Sequence, residues 1–460
     1  MQLNDLHTAY FIGIGGIGMS ALARYFRAKG LDVHGYDKTE TALTRTLAAE
    51  GMHIHYEDDP GQIPEGVDLV VYTPAIPEAH RELRDVRTRG LPVRKRAEVL
   101  GLLSLEERTI AVAGTHGKTT TSCMLSWLLV HGGLDCTAFL GGIATNFGSN
   151  YRLGASGWMV VEADEYDRSF LHLHPERAVI LSMEPDHLDI YGDEDSVVDS
   201  GFRAFAGQVV PGGLLYVQQR WARLLDEAQV SRTFGLGQGD YRAEGIRVEQ
   251  GCFAFDLHTP EQGRIEGFRL PLPGRHNVEN ATAALAVALE LGLEPGRLRR
   301  GLQQFKGVKR RFELRFRRPE VVYVDDYAHH PTELQAAIRA AREFFPGKQI
   351  KGIFQPHLYS RTRDFAVGFA QALDELDEVI LLDIYPAREA PIPGVSAELI
   401  RKHMKKHIGA AVPLDEALDK SKERPADVWM TLGAGNIDTL AEPICAYLAE
   451  RYGPNQDRTT

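Results

Sequence analysis

Two glycine-rich turns of different kinds each stand between a short apolar run and a segment of helical spacing: FIGIGGIGMSALARYF at 11–26 and VAGTHGKTTTSCML at 112–125. A strand that turns through glycines into a helix is the opening unit of a parallel sheet with helices on its faces. A chain that does this twice must build two such units, and it must give each glycine turn a reason to exist. At 460 residues and roughly 100–200 residues per domain, there is room for about three domains.

The apolar pattern marks where they fall. From Thr8 to about Leu105 strand and helix alternate, with strands predicted at 10–14, 31–36 and 69–72 and a helix over 19–28. TIAVAG opens a second unit, and WMVVEADE, AVILSM and GGLLYV supply near-continuous apolar runs that suit a parallel sheet covered on both faces. GRHNVENATAALAVALELG is a helix stopped at Gly292. After GVKRRFE a third unit begins, whose strands end in polar tails: DDYAHH, QPHLYSRT, YPAR and GAGN. In an open α/β sheet, ligands sit beyond the carboxyl ends of strands, where these tails lie. The expected division is 1–105, 106–310 and 311–460.

The chemistry of the loops differs. Gly13, Gly15 and Gly18 have G-x-G-x-x-G spacing, with Asp37 closing the next strand. Such a turn lets backbone approach a diphosphate at a helix N-terminus, and an acid at that offset can hold a ribose. The plainer reading is a glycine turn with no ligand. The second loop, GTHGKTT, departs from the usual G-x-x-x-x-G-K-[ST] because Val112 stands at the first glycine position and Gly114 lies inside the loop. Gly117 and its neighbours still offer backbone N–H groups to phosphates, Lys118 can reach the β- and γ-phosphates, and the Thr119 hydroxyl can ligate Mg²⁺. No other lysine occurs until Lys306.

Mg²⁺ beside a nucleotide needs hard oxygen ligands. VVEADEYD offers Glu162, Asp164, Glu165 and Asp167. Glu162 directly follows the buried strand and is the favoured metal contact; a solvated acidic loop is the alternative. His187 follows the next strand, as a ligand or as a structural histidine. Asn277 and Asn280, three apart on one helix face, could hold an adenine, order the loop or cap the helix.

Charge narrows the partners. Lys+Arg total 52 against 63 Asp+Glu, a formal net charge of −11, which argues against non-specific nucleic-acid binding. No apolar run reaches the ~18 residues of a membrane helix, the N-terminus lacks a signal-peptide pattern, and Cys123, Cys136, Cys252 and Cys445 form no C-x-x-C pair. A cytoplasmic protein with reduced thiols is expected.

Taken together, GTHGKTTT, EADEYD, PDHLD, GRHNVEN, GVKRRFE, VDDYAHHPTE, FQPHLYSRT and LGAGNI resemble, in order and over nearly the whole chain, the Mur ligase family of ATP-dependent amino-acid ligases. The resemblance implies an α/β protein of three domains: an N-terminal Rossmann-like domain for a UDP-sugar, a central P-loop ATPase-like parallel-sheet domain, and a C-terminal Rossmann-like domain on the amino-acid side. It implies ADP-forming ligation of L-alanine to the lactyl carboxylate of UDP-N-acetylmuramate in peptidoglycan precursor synthesis, with ATP and Mg²⁺, by a monomer or homodimer. Carried onto this chain, Gly13, Gly15, Gly16, Gly18, Met19, Asp37 and Thr73 would bind the UDP-sugar. Gly114, Thr115, His116, Gly117, Lys118, Thr119, Thr120, Asn277, Asn280, Arg311 and Asp326 would bind ATP. Thr119, Glu162 and His187 would hold the metal, and His329, His357, Arg361 and Arg363 would face the amino acid. Lys118, Arg311, His329 and His330 would be catalytic, a histidine of that pair serving as base. Several family members complete the metal site with a carbamylated lysine, for which this central domain has no residue between Lys118 and Lys306. The rivals are a family member that attaches a recycled tripeptide to the same sugar nucleotide, a nucleotide-switch protein, and, remotely, an NAD-dependent oxidoreductase.

Overall fold

The computed structural model describes residues 3–184, 197–227, 229–387 and 389–455. Its first sheet holds β1 (Thr8–Ile12), β2 (Asp32–Tyr36), β3 (His53–His55), β4 (Leu69–Tyr72) and β5 (Val93–Lys95). The order is β3-β2-β1-β4-β5, all neighbours parallel. The chain crosses from β1 to β2 on one side and later to β4 on the other. The turn after β1 therefore opens between the ends of β2 and β4, at a topological switch point.

The second sheet is built from β6 (Arg108–Ala113), β7 (Thr137–Ala144), β8 (Ser149–Arg152), β9 (Trp158–Glu162), β10 (Arg177–Ile180), β11 (Leu214–Gln218), β12 (Arg232–Leu236), β13 (Tyr241–Glu249), β14 (Cys252–Thr259) and β15 (Gly263–Leu270). Its order is β15-β14-β13-β12-β11-β10-β6-β9-β7-β8. The run from β12 through β7 is parallel and β8 is antiparallel to β7. Strands β12–β15 lie beyond those marked by apolar runs. β13 and β15 carry charged and half-exposed residues along their length, so no hydrophobic run announces them. Because β10 and β9 flank β6, the second glycine loop emerges between their carboxyl ends.

The third sheet contains β16 (Glu313–Arg317), β17 (Val322–Asp326), β18 (Ile350–Phe354), β19 (Glu378–Leu381) and β20 (Val428–Leu432), in the order β16-β17-β20-β18-β19. The last four are parallel, so the four polar tails leave along one edge. β16 is an antiparallel addition paired to β17.

The chain forms two compact units: Met1–Arg247 with Ala254–Leu270 and Val278–Lys306, and Val248–Phe253 with Pro271–Asn277 and Gly307–Thr460. The first unit contains the whole of the first sheet and most of the second, joined by one continuous core. Tyr25, on the helix Ile17–Ala28, packs against Phe139 and Tyr151 of the second sheet at ring separations of 5.5 and 6.4 Å. Beside them the Asn150 amide donates to the Ile17 carbonyl and to Ser20 Oγ. No helix among the described residues is long and apolar enough to cross a membrane.

Candidate active site

The first loop is held by strand ends on both sides. Gly13 takes φ +89°, and its N–H and that of Ile14 donate to the Tyr36 carbonyl. The Gly15 N–H donates to Asp37 Oδ2 at 2.8 Å. Thr73, from the end of β4, stands opposite, its methyl 3.0 Å from where a Cβ on Gly13 would lie. Gly16 then starts the helix Ile17–Ala28 with no side-chain cap, which leaves backbone N–H groups of the first turn for an anion.

The second loop repeats the plan with added charge. Gly117, at φ +84°, starts the helix Lys118–Gly132, again with no side-chain cap. Gly114, at φ +138°, passes so close to the chain after β10 that a Cβ would stand 2.9 Å from Leu181 Cβ and from the Ser182 N. The Thr115 N–H donates to the Ser182 carbonyl and the His116 N–H to Ser182 Oγ. Thr119 is buried and Thr120 half-buried on the first helical turn. Asn280, buried on the helix Arg275–Glu290, brings Oδ1 to 2.6 Å from the Cβ position of Gly117. Asn277, also buried, instead donates its amide to the Pro273 carbonyl at 2.6 Å, bracing the start of that helix.

Lys118 Nζ donates to both carboxylate oxygens of Glu165 at 2.8 and 2.7 Å, with side chains 13% and 2% exposed. Burial lifts the Glu165 carboxyl. Burial also opposes the Lys118 charge, but Glu165, Asp164 and Glu162 together outweigh it and the ammonium's pKa is raised. Glu165 therefore holds the loop lysine directly, a role the sequence pattern left unassigned. Left-handed backbone at Asp167 and Arg168 (φ 52° and 53°) follows immediately, and Asp167 binds Lys95 of the first sheet at 2.9 Å.

Glu162 ends β9 and accepts the Gly141 N–H. It lines a cavity of about 260 Å³ that also touches Gly16, Gly18, Met19 and Thr73. One cavity thus joins the first glycine loop to the acidic end of β9, with Asp164 also on its wall. Arg96 supplies a cation there, its guanidinium 2.9 Å from the Cβ position of Gly18. Sequence reasoning passed over Arg96; the signal available was its place at a helix start directly after β5. Thr119, Glu162 and Asp164 offer oxygen donors only, the chemistry Mg²⁺ selects. His187 lies outside the described residues.

In the second unit, Asp326 ends β17 and accepts the N–H groups of Phe312 and Ala328 at 2.6 and 2.7 Å. Burial among the packed atoms around it raises its carboxyl to about 6, against the pull of Arg311. Arg310 and Phe312, on either side of Arg311, both take positive φ (60° and 44°), a conformation that costs energy in non-glycine residues and clusters at functional sites. Both guanidiniums lie over the Tyr327 ring, 5.1 and 5.2 Å from its centroid.

His329 places Nδ1 3.0 Å from the Tyr327 carbonyl and 3.2 Å from Glu333. A carbonyl only accepts, so Nδ1 carries the proton and Nε2 keeps its lone pair. Burial lowers the His329 pKa, Glu333 opposing. His330 is instead the N-cap of the helix Pro331–Phe344, accepting the Thr332 N–H at Nδ1. His357 stacks on Tyr385 and lies 3.4 Å from an Arg361 nitrogen; its ring is 6.1 Å from that of His329. Arg363 is not drawn into this group: it is exposed and paired with Asp364.

Comparison with known proteins matches three family models in succession: the Mur ligase family catalytic domain over residues 8–108, the Mur ligase middle domain over 112–288, and the Mur ligase glutamate ligase domain over 310–435. The UDP-N-acetylmuramate–L-alanine ligase of Cytophaga hutchinsonii is 46% identical over 98% of this chain and 99% of its own. The protein of that name from Porphyromonas gingivalis is 49% identical over 95% and 98%. Among solved structures, the UDP-N-acetylmuramate–alanine ligase of Thermotoga maritima superposes with a TM-score of 0.81 at 30% identity, over 96% of this chain and 99% of that one.

Proposed function

We propose, from the premise that this chain belongs to the Mur ligase family, that it joins L-alanine to the lactyl carboxylate of UDP-N-acetylmuramate with conversion of ATP to ADP and phosphate, in the cytoplasm. The observation that carries the reading is the cavity running from the glycine loop of the first sheet to Glu162 of the second. It would let a sugar nucleotide lie with its diphosphate at the first glycine loop and its carboxylate toward Glu162, the register partner of Val112 on the strand that leads to the second loop.

The lactyl carboxylate attacks the γ-phosphorus, and ADP leaves. Charge spreads over the transferred oxygens, where Lys118 and Arg311 offset it. Thr119 and Glu162, with His187, would hold Mg²⁺, which would neutralise charge on the nucleotide's phosphates. The acyl phosphate then meets the amine of L-alanine, which attacks the carbonyl carbon; phosphate departs from the tetrahedral intermediate. The amine must lose a proton to react. His329 is suited to take it, since its Nε2 lone pair is available and burial keeps the ring neutral. His330, whose Nδ1 accepts from the helix backbone, carries its proton on Nε2 when neutral and is the poorer base.

Burial disfavours the imidazolium of His329, so its protonation, and the fall in rate that goes with it, lies on the acid side of the ordinary histidine range. His329→Gln should remove that acid limb. A limb that persisted in the variant would show that another group takes the proton.

The decisive experiment is phosphate release with UDP-N-acetylmuramate and ATP against a panel of L-alanine, L-serine, glycine and the recycled tripeptide. Release is expected with L-alanine and should require both co-substrates. Release with the tripeptide and not with L-alanine would replace this reading with the tripeptide ligase.

A further inference from the structure

The amino end of the first sheet carries a group of side chains that the ligation does not use. His34 on β2 and His53 on β3 are direct register partners across a parallel pair. Their rings stack with centroids 4.6 Å apart and planes at 24°. Asp32 precedes His34 by two residues on the same strand, so side-chain alternation puts it on the same face. Its Oδ2 lies 2.8 Å from His34 Nε2 and its Oδ1 3.8 Å from His53 Nε2. One ligand atom from each of the three residues falls within 4.8 Å of the others.

We infer that Asp32, His34 and His53 form a binding site for a borderline divalent transition ion, with Zn²⁺ the redox-inert representative. Two imidazoles and one carboxylate, converging from one face and open to water on the other, are a donor set that such ions favour over Mg²⁺ or Ca²⁺. Asp32 and His53, with side chains 53% and 67% exposed, have room to turn toward a shared ion. The charge balance points the same way. A single carboxylate gives no cluster of negative charge to recruit a hard cation, so selection rests on the imidazole nitrogens.

The site is separate from the catalytic chemistry. Asp32 begins β2, whereas Asp37, just past the other end of that strand, holds the Gly15 N–H. Five residues of extended chain separate them by roughly 16 Å. A bound ion would fasten β3, a three-residue edge strand, to β2. Its effect is stability, since anything bound to the folded state alone stabilises it by mass action.

The test uses the full chain, stripped with a chelator and held in excess Mg²⁺, titrated with Zn²⁺ by calorimetry and with Co²⁺ by visible absorption. The wild type should take up one more equivalent than His34→Gln, His53→Ala or the double variant, with imidazole-type Co²⁺ bands lost in all three. Zn²⁺ should raise Tm in the wild type and not in the variants. All three residues are at least partly exposed, and an unchanged Tm without metal will show that the variants fold. Binding should weaken on acidification, as imidazoles must be unprotonated to ligate. Equal uptake by wild type and double variant, or no saturable uptake by the wild type, would overturn the site.

Discussion

The turns after β1 and β6 are built alike and charged differently. Each begins a helix with no side-chain cap, and each is approached by a carboxylate of the same chain. In the first, Asp37 accepts the backbone N–H of Gly15 and no lysine is present. In the second, Glu165 is buried against the Lys118 ammonium. A cradle of neutral N–H groups suits a diphosphate that is held and released whole. A buried ammonium is worth its desolvation where charge moves, as it does on a phosphoryl group in transfer. The difference between the loops is thus a difference between holding an anion and breaking one.

The largest effect should separate them outright. Lys118→Ala should cut ADP formation by on the order of a thousandfold or more, while the affinity for UDP-N-acetylmuramate, measured by calorimetry, stays at the wild-type value. A near-normal rate of amide formation would remove Lys118 from the chemistry and with it the difference in task between the two loops.

The converse variant acts on the first loop. A Cβ on Gly15 would stand 2.7 Å from Thr44 Cγ2 and 2.8 Å from Asp37 Oδ2, closer than packed atoms allow. Gly15→Ala should raise KM for the sugar nucleotide about tenfold, or about 1.4 kcal/mol, and leave KM for ATP alone. Should KM for both substrates rise together, the loops would not be the independent holders that their chemistry suggests.

Glu165→Gln probes the carboxylate rather than the cation. It keeps the shape but removes the charge that competes with phosphate for Lys118. The apparent affinity for ATP should rise several-fold, up to about tenfold given the strength of a charge-assisted bond, with kcat lowered because the ammonium is less firmly placed. Weaker ATP binding in this variant would instead make Glu165 a contributor to the nucleotide site.

Much of this was legible in the sequence because apolar runs and glycine turns have few structural solutions. The runs around β6, β9 and β10 read as buried parallel strands, and the motifs fell at their carboxyl ends. What escaped has physical reasons. Glu162 could be singled out among four acids because it directly ends a buried strand. That Glu165 turns inward to Lys118 depends on a local backbone path, leading into left-handed residues at Asp167 and Arg168, which no periodicity encodes. Arg96 follows a three-residue strand that is only half-buried, too short to mark a site. The division of the chain was read from the apolar pattern, whereas the core shared by the first two sheets includes Tyr25, Phe139 and Tyr151, aromatic residues that sequence shows only as separate apolar positions.

Val112 offers the finest test of the comparison, because it stands where a nucleotide loop usually has its first glycine. In the structure that position is still inside β6: Val112 is fully buried and pairs with Glu162 on one side and Val179 on the other. The tight backbone approach occurs two residues later, at Gly114. Valine is therefore a core residue, and the loop proper begins after it. Val112→Gly should lower stability by about 2–4 kcal/mol, from the lost side chain and the freer unfolded backbone, seen as a reduced Tm, while KM for ATP stays within about twofold of wild type. Gly114→Ala, which forces a Cβ against Leu181 and the Ser182 N at a φ that alanine resists, should weaken ATP binding instead. If Val112→Gly changed ATP affinity as much as Gly114→Ala, the grip on the nucleotide would reach back into the strand, and the second loop would differ from the first in length as well as in charge.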